Sequence, residues 1–570
     1  MRNQEIASIF YEIADLLEIK GELPFKVRAY RRAAQRIETL DGDIEDIYSE
    51  GKLREIPGIG EALAKKIGEI IETGRLEYLE RLKREVPEGV VRLMSIPGLG
   101  PRKTAVLYKK LGIKNIEELK KAAEQGKLRD LDGFGVITEK NILRGIEMLE
   151  RSRGRVLLSM AFEDGSHLVD YLKGNRDVLN ISIAGSLRRM KETIGDIDIL
   201  VSSLKPEGIM DFFVKYQDVY QILVKGSTKT SVILRDGLQV DLRVVKPESF
   251  GAALQYFTGS KEHNIQIRNL AIKKGFKVNE YGVFEKDTEK YVAGKHEEEV
   301  YKAIGLQYIE PELRENRGEI ELAQKNKLPR LIGYNEIKGD FHIHSNWSDG
   351  SASVEEIVRF GEKLGYEFVG IADHSASLKV AYGLSEEKVM KKIKEIRRVQ
   401  KRFDIRILVG TECDIKPDGT MDYRDSVLKE FDFVYAAIHT RFKMSQREMT
   451  ERIVKALENE YVNFLAHPTG RLIGRRDAYE VDVEKIIDAA KENNVFLEIN
   501  AFPDRLDLND VHAKMAKDKG VGMVIGTDAH SLDHLRFMRY GIAVARRGWL
   551  EKKDVLNTCS LKEIERTLLR

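Results

Sequence analysis

The C-terminal half of this sequence repeats one pattern: a short apolar run, then a residue able to bind metal, then a helical segment. Regular alternation of strands and helices predicts a parallel sheet or barrel. Barrels of this kind carry their chemistry at the carboxyl ends of the strands. The pattern therefore predicts an α/β barrel with a metal site at one end. Its apolar runs are residues 368–372, 405–409, 433–438, 464–466, 495–499 and 521–525.

The metal-capable residues of this half are too many to be structural. His342 and His344 alternate along one apolar segment, so a strand there places both rings on the same side. Nine ligands exceed the coordination of one ion and fit two or three ions that share a carboxylate. Water bound to such ions has a lowered pKa and can attack phosphorus. The set is His342, His344, Asp349, His374, Glu412, His439, His467, Asp528 and His530.

A separate acidic pattern lies nearer the middle of the chain. Asp196 and Asp198 are two apart in an apolar run, so a strand there puts both carboxylates on one face. A hairpin predicted over residues 231–245 brings Asp241 beside them. Three clustered carboxylates repel one another and favour Mg²⁺ or Mn²⁺. Two such ions can clamp the attacking and leaving oxygens of a phosphoryl transfer.

Just before these carboxylates, the segment Ala184-Gly-Ser-Leu-Arg-Arg189 predicts a turn suited to phosphate. Gly185 and Ser186 open the turn, and its backbone amides together with Arg189 can hold a triphosphate. The plain alternative is a strand with two solvated carboxylates and a basic turn. A single aspartate would fit that alternative equally well, but the complete set of residues makes it much less plausible.

Glycine-rich turns recur in the N-terminal region. Ile-Pro-Gly-Ile-Gly ends at Gly60, Ile-Pro-Gly-Leu-Gly ends at Gly100, and a weaker third copy ends at Gly135. Each precedes a predicted helix whose free amides can bind a DNA phosphate without reading sequence. The second copy is basic, which is typical of backbone binding. Predicted DNA contacts here are Gly58, Gly60, Gly98, Gly100, Arg102 and Lys103.

Composition excludes some classes of protein. The formal net charge of the 570 residues is only +2, so local patches must carry any argument for nucleic acid. Two cysteines exclude a disulfide framework and suit a reducing cytoplasm. The sequence contains no apolar run long enough to span a bilayer. We therefore expect a cytoplasmic, nucleoid-associated protein with several domains and no membrane partner.

Taken together, these motifs resemble the prokaryotic branch of the family X DNA polymerases, which carries a C-terminal PHP (polymerase and histidinol phosphatase) domain. The resemblance covers essentially the whole chain. It implies all-α helix–hairpin–helix N-terminal domains, an α+β nucleotidyltransferase palm with a thumb, and an α/β distorted (βα)7-type PHP barrel. The implied domains are 1–85 (DNA-binding and lyase-like), 86–150 (fingers), 151–245 (palm), 246–310 (thumb), 311–337 (linker) and 338–570 (PHP).

The resemblance also implies roles for particular residues. Asp196, Asp198 and Asp241 would be the catalytic metal ligands, and Gln239 stands where animal polymerase beta has an arginine. Lys66 matches the Schiff-base lysine of lyase-competent members. Lys26 and Tyr30 match DNA-contacting positions, and the nucleotide pocket would comprise Gly185, Ser186, Arg189, Tyr256, Phe257, Gly259, Asn264 and Arg268.

In the PHP half, the resemblance assigns the ligands to three ions. His342, His344, Glu412 and Asp528 would hold one ion. Glu412, His439 and His467 would hold a second, and Asp349, His374 and His530 a third. The cofactors implied are Mg²⁺ or Mn²⁺ at the palm, and two or three Zn²⁺ or Mn²⁺ ions in the PHP domain.

The resemblance therefore implies a monomeric DNA-directed DNA polymerase that fills short gaps in base excision repair. Its partners would be gapped or primed double-stranded DNA and dNTPs. The PHP domain would add 3′–5′ exonuclease and abasic-site or 3′-end processing. Two alternatives stay open: a PHP-dominated 3′-end nuclease whose polymerase core only holds DNA, and a non-catalytic DNA-binding adaptor.

Overall fold

Two units make up the chain in the computed structural model, which describes residues 2–38, 40, 44–96, 99–152 and 154–568. The first unit comprises Met1–Arg153 with Gly474–Arg476, and the second comprises Gly154–Ile473 with Asp477–Arg570. The finer domain boundaries read from the sequence stay predictions. No helix in the described ranges is both long enough and apolar enough to cross a bilayer.

The first unit is helical in the residues described, as the sequence predicts. Its first hairpin forms because Gly58 adopts a φ of +92° and Gly60 caps the next helix in an extended conformation. That helix, α4, ends where Gly74 adopts a left-handed conformation. The helices are α1 Arg2–Lys20, α2 Pro24–Glu38, α3 Ile44–Ser49, α4 Glu61–Thr73, α5 Glu77–Glu85, α6 Glu88–Arg92, α7 Pro101–Leu111, α8 Ile116–Glu124 and α9 Val136–Ser152.

The palm opens the second unit with a five-stranded mixed sheet in the order β2-β4-β7-β6-β5. Strands β4 and β7 are neighbours near the middle of the sheet and run parallel. Asp236 and Gly237 form the turn between β6 and β7, as predicted. The palm elements are β1 Val156–Leu157, α10 Leu158–Lys173, β2 Asn180–Ile183, α11 Gly185–Arg188, β3 Thr193–Ile194, β4 Asp196–Ser202, α12 Pro206–Phe213, β5 Val219–Lys225, β6 Lys229–Leu234 and β7 Gln239–Val245.

A thumb follows, and a buried carboxylate ties it to the palm. Glu297 accepts hydrogen bonds from Arg188 of the palm at 2.6 and 2.9 Å and from Arg314, which follows the thumb strands and helix α15 (Glu297–Ala303), at 2.6 Å. Glu297 is 6% exposed and Arg314 is fully buried. The elements are α13 Phe250–Thr258, α14 Lys261–Lys273, β8 Phe276–Asn279, β9 Gly282–Glu285, β10 Tyr291–Ala293, α15 Glu297–Ala303 and, in the linker, α16 Glu319–Gln324.

The C-terminal domain is a nearly closed parallel barrel, which confirms the predicted architecture. Its seven strands follow chain order from β11 to β17, and a parallel bridge between Ile343 and Ala529 joins the last segment to the first. The elements are β11 Gly339–Ile343, α17 Val354–Lys363, β12 Phe368–Ile371, α18 Glu386–Gln400, β13 Arg406–Asp414, α19 Asp425–Leu428, β14 Phe433–Ala437, α20 Gln446–Leu457, β15 Phe464–Leu465, α21 Val483–Glu492, β16 Phe496–Asn500, α22 Asp510–Lys519, β17 Met523–Gly526, α23 Met538–Arg547 and α24 Leu561–Leu568.

Aromatic rings fill the barrel interior below the strand ends. Phe341, Phe433 and Phe464 lie within 5.3–5.7 Å of one another, measured between ring centroids. All three side chains are fully buried. Since this layer is packed, polar groups at the strand ends rest on a rigid apolar floor.

Candidate active sites

The register of the palm sheet brings the three predicted carboxylates together. Asp198 on β4 lies directly opposite Asp241 on the adjacent parallel strand β7, and Asp196 precedes Asp198 by two residues on the same face. Adjacent strands are about 4.8 Å apart. Burial, together with the charges of Asp196 and Asp241, raises the pKa of Asp198 to about 7. Such a like-charge cluster favours binding of divalent cations.

Two polar side chains hold the Asp241 carboxylate, and the sequence did not predict this role for either of them. Lys229 Nζ lies 2.8 Å from one carboxylate oxygen, and Gln239 donates a 2.9 Å hydrogen bond to the other. These contacts lower the pKa of Asp241 although its burial opposes the change. Gln239 thus contacts a carboxylate from the position where animal polymerase beta has an arginine. A cation bound by Asp241 would compete with Lys229.

The glycine-rich turn lies against this cluster. Gly185 has a φ of +61°, and a Cβ there would come within 2.1 Å of the Asp198 carboxylate. Only glycine permits this approach. Ser186 is half-buried beside it. Arg189 is 9% exposed, and its guanidinium donates to the Thr258 main-chain oxygen at 2.7 Å and to Glu315 at 3.0 Å.

The predicted sugar and base contacts lie on α13 and α14. Tyr256 and Phe257 are half-buried, and Arg243 lies over the Phe257 ring at 4.4 Å. Asn264 donates to the main-chain oxygens of Tyr256 and Gly259 at 2.6 and 3.2 Å. These bonds fix the turn at Gly259, where a Cβ would come within 2.5 Å of Asn264. The remaining pocket residue, Arg268, is exposed on α14.

In the first unit, the predicted Lys26, Tyr30 and Lys66 gather around Tyr78. The Tyr30 and Tyr78 rings are stacked with centroids 6.1 Å apart. Lys66 Nζ lies 4.8 Å and Lys26 Nζ 5.9 Å from the Tyr78 ring centroid, and Arg81 approaches it at 5.1 Å. Tyr78 and Arg81 were not identified from the sequence. The cluster presents three cations on an aromatic platform.

The hairpin residues predicted to bind DNA have solvent-facing surfaces. Gly58, Gly60 and Gly100 are exposed, and Gly100 caps α7. Arg102 is exposed and Lys103 half-buried at the start of the same helix. Gly98 lies outside the described residues. These exposed residues flank the starts of α4 and α7, where free backbone amides of a helix can bind phosphate.

All nine predicted PHP ligands converge at the carboxyl ends of the barrel strands. Glu412 is central: one of its carboxylate oxygens lies 2.8 Å from His467 and 3.3 Å from His439. Its other oxygen lies 2.9 Å from His374 and 3.6 Å from His342. Within the described residues, metal-binding atoms within 4.8 Å of one another form three groups, namely His344–Asp349–His374–His530, His342–His344–Asp528 and His374–Glu412–His439.

The donor atoms of this cluster fit divalent cations. Nε2 of His342, both ring nitrogens of His344 and Nδ1 of His467 are buried without a hydrogen-bond partner. Unpaired buried polar atoms are costly. The nearest carboxylate oxygens to His342 Nε2 are 3.6 and 3.8 Å away, on Glu412 and Asp528. Separations of that size are those of two ligands on one ion, given bonds of about 2.1 Å.

Buried carboxylates that sequence reasoning missed orient two of these histidines. Glu498, fully buried on β16, lies 2.6 Å from His342 Nδ1. Asp414, two residues after Glu412 on β13, lies 2.6 Å from His439 Nδ1. Such pairs fix the tautomer and ring orientation of a metal-binding histidine. The signal in the sequence was a charged residue inside an apolar run, as at Phe496-Leu-Glu-Ile499.

The protonation of the cluster reflects the same carboxylates. Burial opposes the charged form of His342, but Glu498, Asp528 and Glu412 outweigh it and hold its pKa well above the usual value. Burial and the neighbouring His530 lower the pKa of His344 to about 4. Each ligand thus shifts the pKa of its neighbours, and a bound cation would change these protonation states again.

Four family models match parts of the chain. A helix-hairpin-helix domain model matches residues 1–76, a SAM-like helix-hairpin-helix tandem 90–147, a DNA polymerase beta thumb 253–315 and a PHP domain 340–502. Together with the palm carboxylates and the barrel cluster, these matches define a polymerase-type core followed by a PHP domain.

Individual relatives extend this result over the full length. The chain is 40% identical over 573 residues to DNA polymerase/3′-5′ exonuclease PolX of Bacillus subtilis, covering all of both chains. It is 27% identical to rat DNA polymerase lambda over 50% of this chain and 52% of that protein. It is also 31% identical to a probable phosphatase of Acetivibrio thermocellus over 34% of this chain and 78% of that one. The chain belongs to the family X DNA polymerases that carry a C-terminal PHP domain.

Proposed function

We propose that this protein is a DNA-directed DNA polymerase that fills short gaps during base excision repair and removes 3′-terminal nucleotides with its PHP domain. The observation that carries the proposal is that one unit holds two different clusters of side chains able to bind metal. The palm has oxygen ligands only, whereas the barrel mixes imidazole with carboxylate. The first suits Mg²⁺ or Mn²⁺, and the second suits Zn²⁺ or Mn²⁺ in two or three positions.

In the synthetic half, Asp196 and Asp198 would hold both cations and Asp241 the catalytic one. Divalent cations bound there would neutralise the charge on the phosphoryl and leaving-group oxygens and favour ionisation of the primer 3′-hydroxyl. Asp241 would accept the proton of that hydroxyl at a carboxylate oxygen. Its present partner Lys229, at 2.8 Å, would have to move away first.

In the nucleotide pocket, Ser186 and Arg189 would bind the triphosphate beside the carboxylates. Tyr256 and Phe257 would press against the sugar and disfavour a 2′-hydroxyl. Asn264 and Arg268, on the helix that follows, would contact the incoming base and the template. The fixed turn at Gly259 supports this role because Asn264 holds the main chain that carries the two aromatic side chains.

For the nuclease half, we propose that the nine barrel ligands activate water for attack on the terminal phosphodiester. Glu412 would be the shared ligand, because its two oxygens face different histidines. His344 would share an ion with Asp528, because its Nε2 lies 3.2 Å from that carboxylate, and its Nδ1 lies 3.9 Å from Asp349. Glu498 and Asp414 would orient the imidazole ligands.

DNA would be held through the hairpins of the first unit, and a 5′-phosphate through Lys26, Lys66 and Arg81 around Tyr78. Lys66 would also form the Schiff base of a deoxyribose-phosphate lyase. Borohydride trapping of an abasic-site adduct tests this point. Lys66→Ala should abolish trapping, whereas Lys65→Ala, an exposed neighbour paired with Glu61, should not. Trapping that survives the loss of Lys66 would remove the lyase from the proposal.

The protein would act as a monomer at the nucleoid, on gapped or primed DNA and dNTPs. Paired variants separate the two activities. Asp196→Asn with Asp198→Asn should stop incorporation into one-nucleotide-gapped DNA and leave 3′-end removal intact. His342→Ala with His344→Ala should do the reverse. Asp211→Asn, which breaks an exposed pair with Lys225, is the matched palm control and should change neither activity.

The same experiment tests the alternative reading, a nuclease whose polymerase core only binds DNA. That reading requires wild-type protein to degrade 3′ ends without incorporating nucleotide. Incorporation that is unchanged by the paired palm substitutions would contradict the assignment of Asp196 and Asp198. Binding of gapped DNA with neither reaction would favour the adaptor.

A further inference from the structure

The palm segment that joins the proposed triphosphate turn to the catalytic strand is anchored on the PHP barrel. Arg547, near the end of α23, is 5% exposed. Its Nη1 donates to the Arg189 main-chain oxygen at 2.8 Å and to Glu315 at 3.0 Å, and its Nη2 donates to Asp510 at 2.8 Å. One barrel side chain thus contacts Arg189 of the palm, Glu315 between the palm and the barrel, and Asp510 of its own domain.

Glu315 connects this contact to the side chain of Arg189. The same Glu315 oxygen accepts from Arg189 Nε at 3.0 Å, and Thr258 accepts from Arg189 Nη1 at 2.7 Å. Arg189 is therefore held at its main chain by Arg547 directly and at its guanidinium through Glu315. Charge-assisted bonds of this kind, in a buried setting, fix orientation as well as position.

A second barrel arginine anchors the other end of the segment 189–192. Arg471 Nη2 lies 2.7 Å from the Glu192 carboxylate. Arg471 also donates to the main-chain oxygens of Arg505 and Leu506, in the barrel loop after β16. Arg505 of that loop forms a 3.1 Å ion pair with the PHP ligand Asp528.

Apolar packing makes this junction rigid. Phe162 on the palm helix α10 packs edge-on against Tyr540 of α23, with ring centroids 6.5 Å apart, and Arg539 lies 3.9 Å over the Phe162 ring. Palm and barrel side chains also belong to one continuous buried cluster. The barrel is thus a fixed support for the palm segment.

We propose that Arg547 of the PHP domain is a positioning residue of the polymerase site, which sets the Arg189 guanidinium for the triphosphate of the incoming nucleotide. This inference rests on the proposed function of Arg189. It predicts that the barrel contributes to nucleotide affinity independently of its nuclease ligands. Loss of Arg547 would leave Arg189 as the remaining guanidinium partner of this Glu315 oxygen. Glu315 would then hold the Arg189 guanidinium more strongly, so the effect would fall on nucleotide binding.

The test is single-nucleotide incorporation on gapped DNA, with kcat and KM for dNTP measured separately. Arg547→Ala should raise KM about tenfold, the effect of losing one charge-assisted hydrogen bond, and should change kcat less than threefold. Removal of 3′ nucleotides should stay within twofold of wild type. Arg546→Ala is the matched control: Arg546 bonds Glu312 and the Ile332 main-chain oxygen but has no bond to the palm segment.

Two further variants make the result decisive. Arg547→Lys keeps the charge but not the forked geometry, so it should raise KM less than the alanine variant; it also replaces that variant if alanine prevents folding. In the double variant Arg547→Ala with Glu315→Gln, KM for dNTP should rise by less than the two separate effects combined. Both substitutions act through Arg189, so their effects are not independent.

Several outcomes would overturn the inference. These are an unchanged KM in folded Arg547 variants, an equal rise in KM for Arg546→Ala, or a fall in kcat with KM constant. Wild-type protein that incorporates no nucleotide would instead refute the proposed function itself. The two failures are therefore distinguishable in one set of assays.

Discussion

Replacing Glu297 by glutamine should destabilise the second unit and not the first. Glu297 joins the palm to the thumb through Arg188, and it joins α15 to the segment after the thumb strands through Arg314. Burial alone would raise the pKa of Glu297, but Arg314 and Arg188 outweigh it and lower the value from 4.5 to about 2. A depression of this size corresponds to about 3 kcal/mol of stability at neutral pH. Removing one partner of a buried ion pair costs a similar amount, about 3–5 kcal/mol.

The pH dependence follows from the direction of the pKa shift. Because the folded pKa of Glu297 lies below its unfolded value, its contribution is complete above about pH 4.5 and is lost as pH falls toward 2. The difference in unfolding free energy between wild type and Glu297→Gln should therefore shrink from about 3 kcal/mol at pH 7 to about 2 kcal/mol at pH 3.5.

Urea unfolding followed by tryptophan fluorescence measures this difference selectively. The two tryptophans, Trp347 and Trp549, both lie in the second unit, so the signal reports on that unit alone. Glu298→Gln, an exposed neighbour on α15, should shift the free energy by less than about 0.5 kcal/mol. An unchanged midpoint for Glu297→Gln, or a difference that grows on acidification, would refute the reasoning.

Three further predictions concern the metal sites. Glu498→Gln should weaken Mn²⁺ binding to the barrel about tenfold or more, measured by calorimetry, because His342 loses the carboxylate that orients it; equal affinity would contradict that role. Chelation should lower the melting temperature of the second unit, and Mn²⁺ should restore it; no shift would show that the cluster binds metal too weakly to matter. Lys229→Met should tighten Mn²⁺ binding to the palm several-fold, because it removes a cation that competes for Asp241. Paramagnetic titration measures this affinity, and weaker binding would mean that Lys229 supports the site.

The barrel and its ligands were predictable because each signal is local. An apolar run ends, and a residue such as His439 or His467 follows it, so parallel strands must gather these side chains at one edge. The palm carboxylates were predictable for a similar reason, since alternation on β4 and the hairpin ending in β7 fix their shared face.

The supporting residues were not predictable in the same way. Glu498 meets His342 across 156 positions of sequence, and Arg547 meets Arg189 across 358. No local periodicity records such distant pairing. Lys229 begins a strand and has the pattern of an ordinary surface lysine. Only the tertiary structure reveals that each of these side chains restrains a proposed ligand or phosphate-binding group.

The chain-order arrangement of the barrel strands has a consequence for biosynthesis. The first strand supplies His342 and His344, whereas Asp528 and His530 follow the last one. A ribosome must therefore translate nearly the whole message before the proposed PHP metal centre has all its ligands. Residues 196–241 emerge from the ribosome long before that point. A nascent or prematurely terminated chain would contain all three proposed polymerase carboxylates while the proposed PHP metal centre still lacked Asp528 and His530.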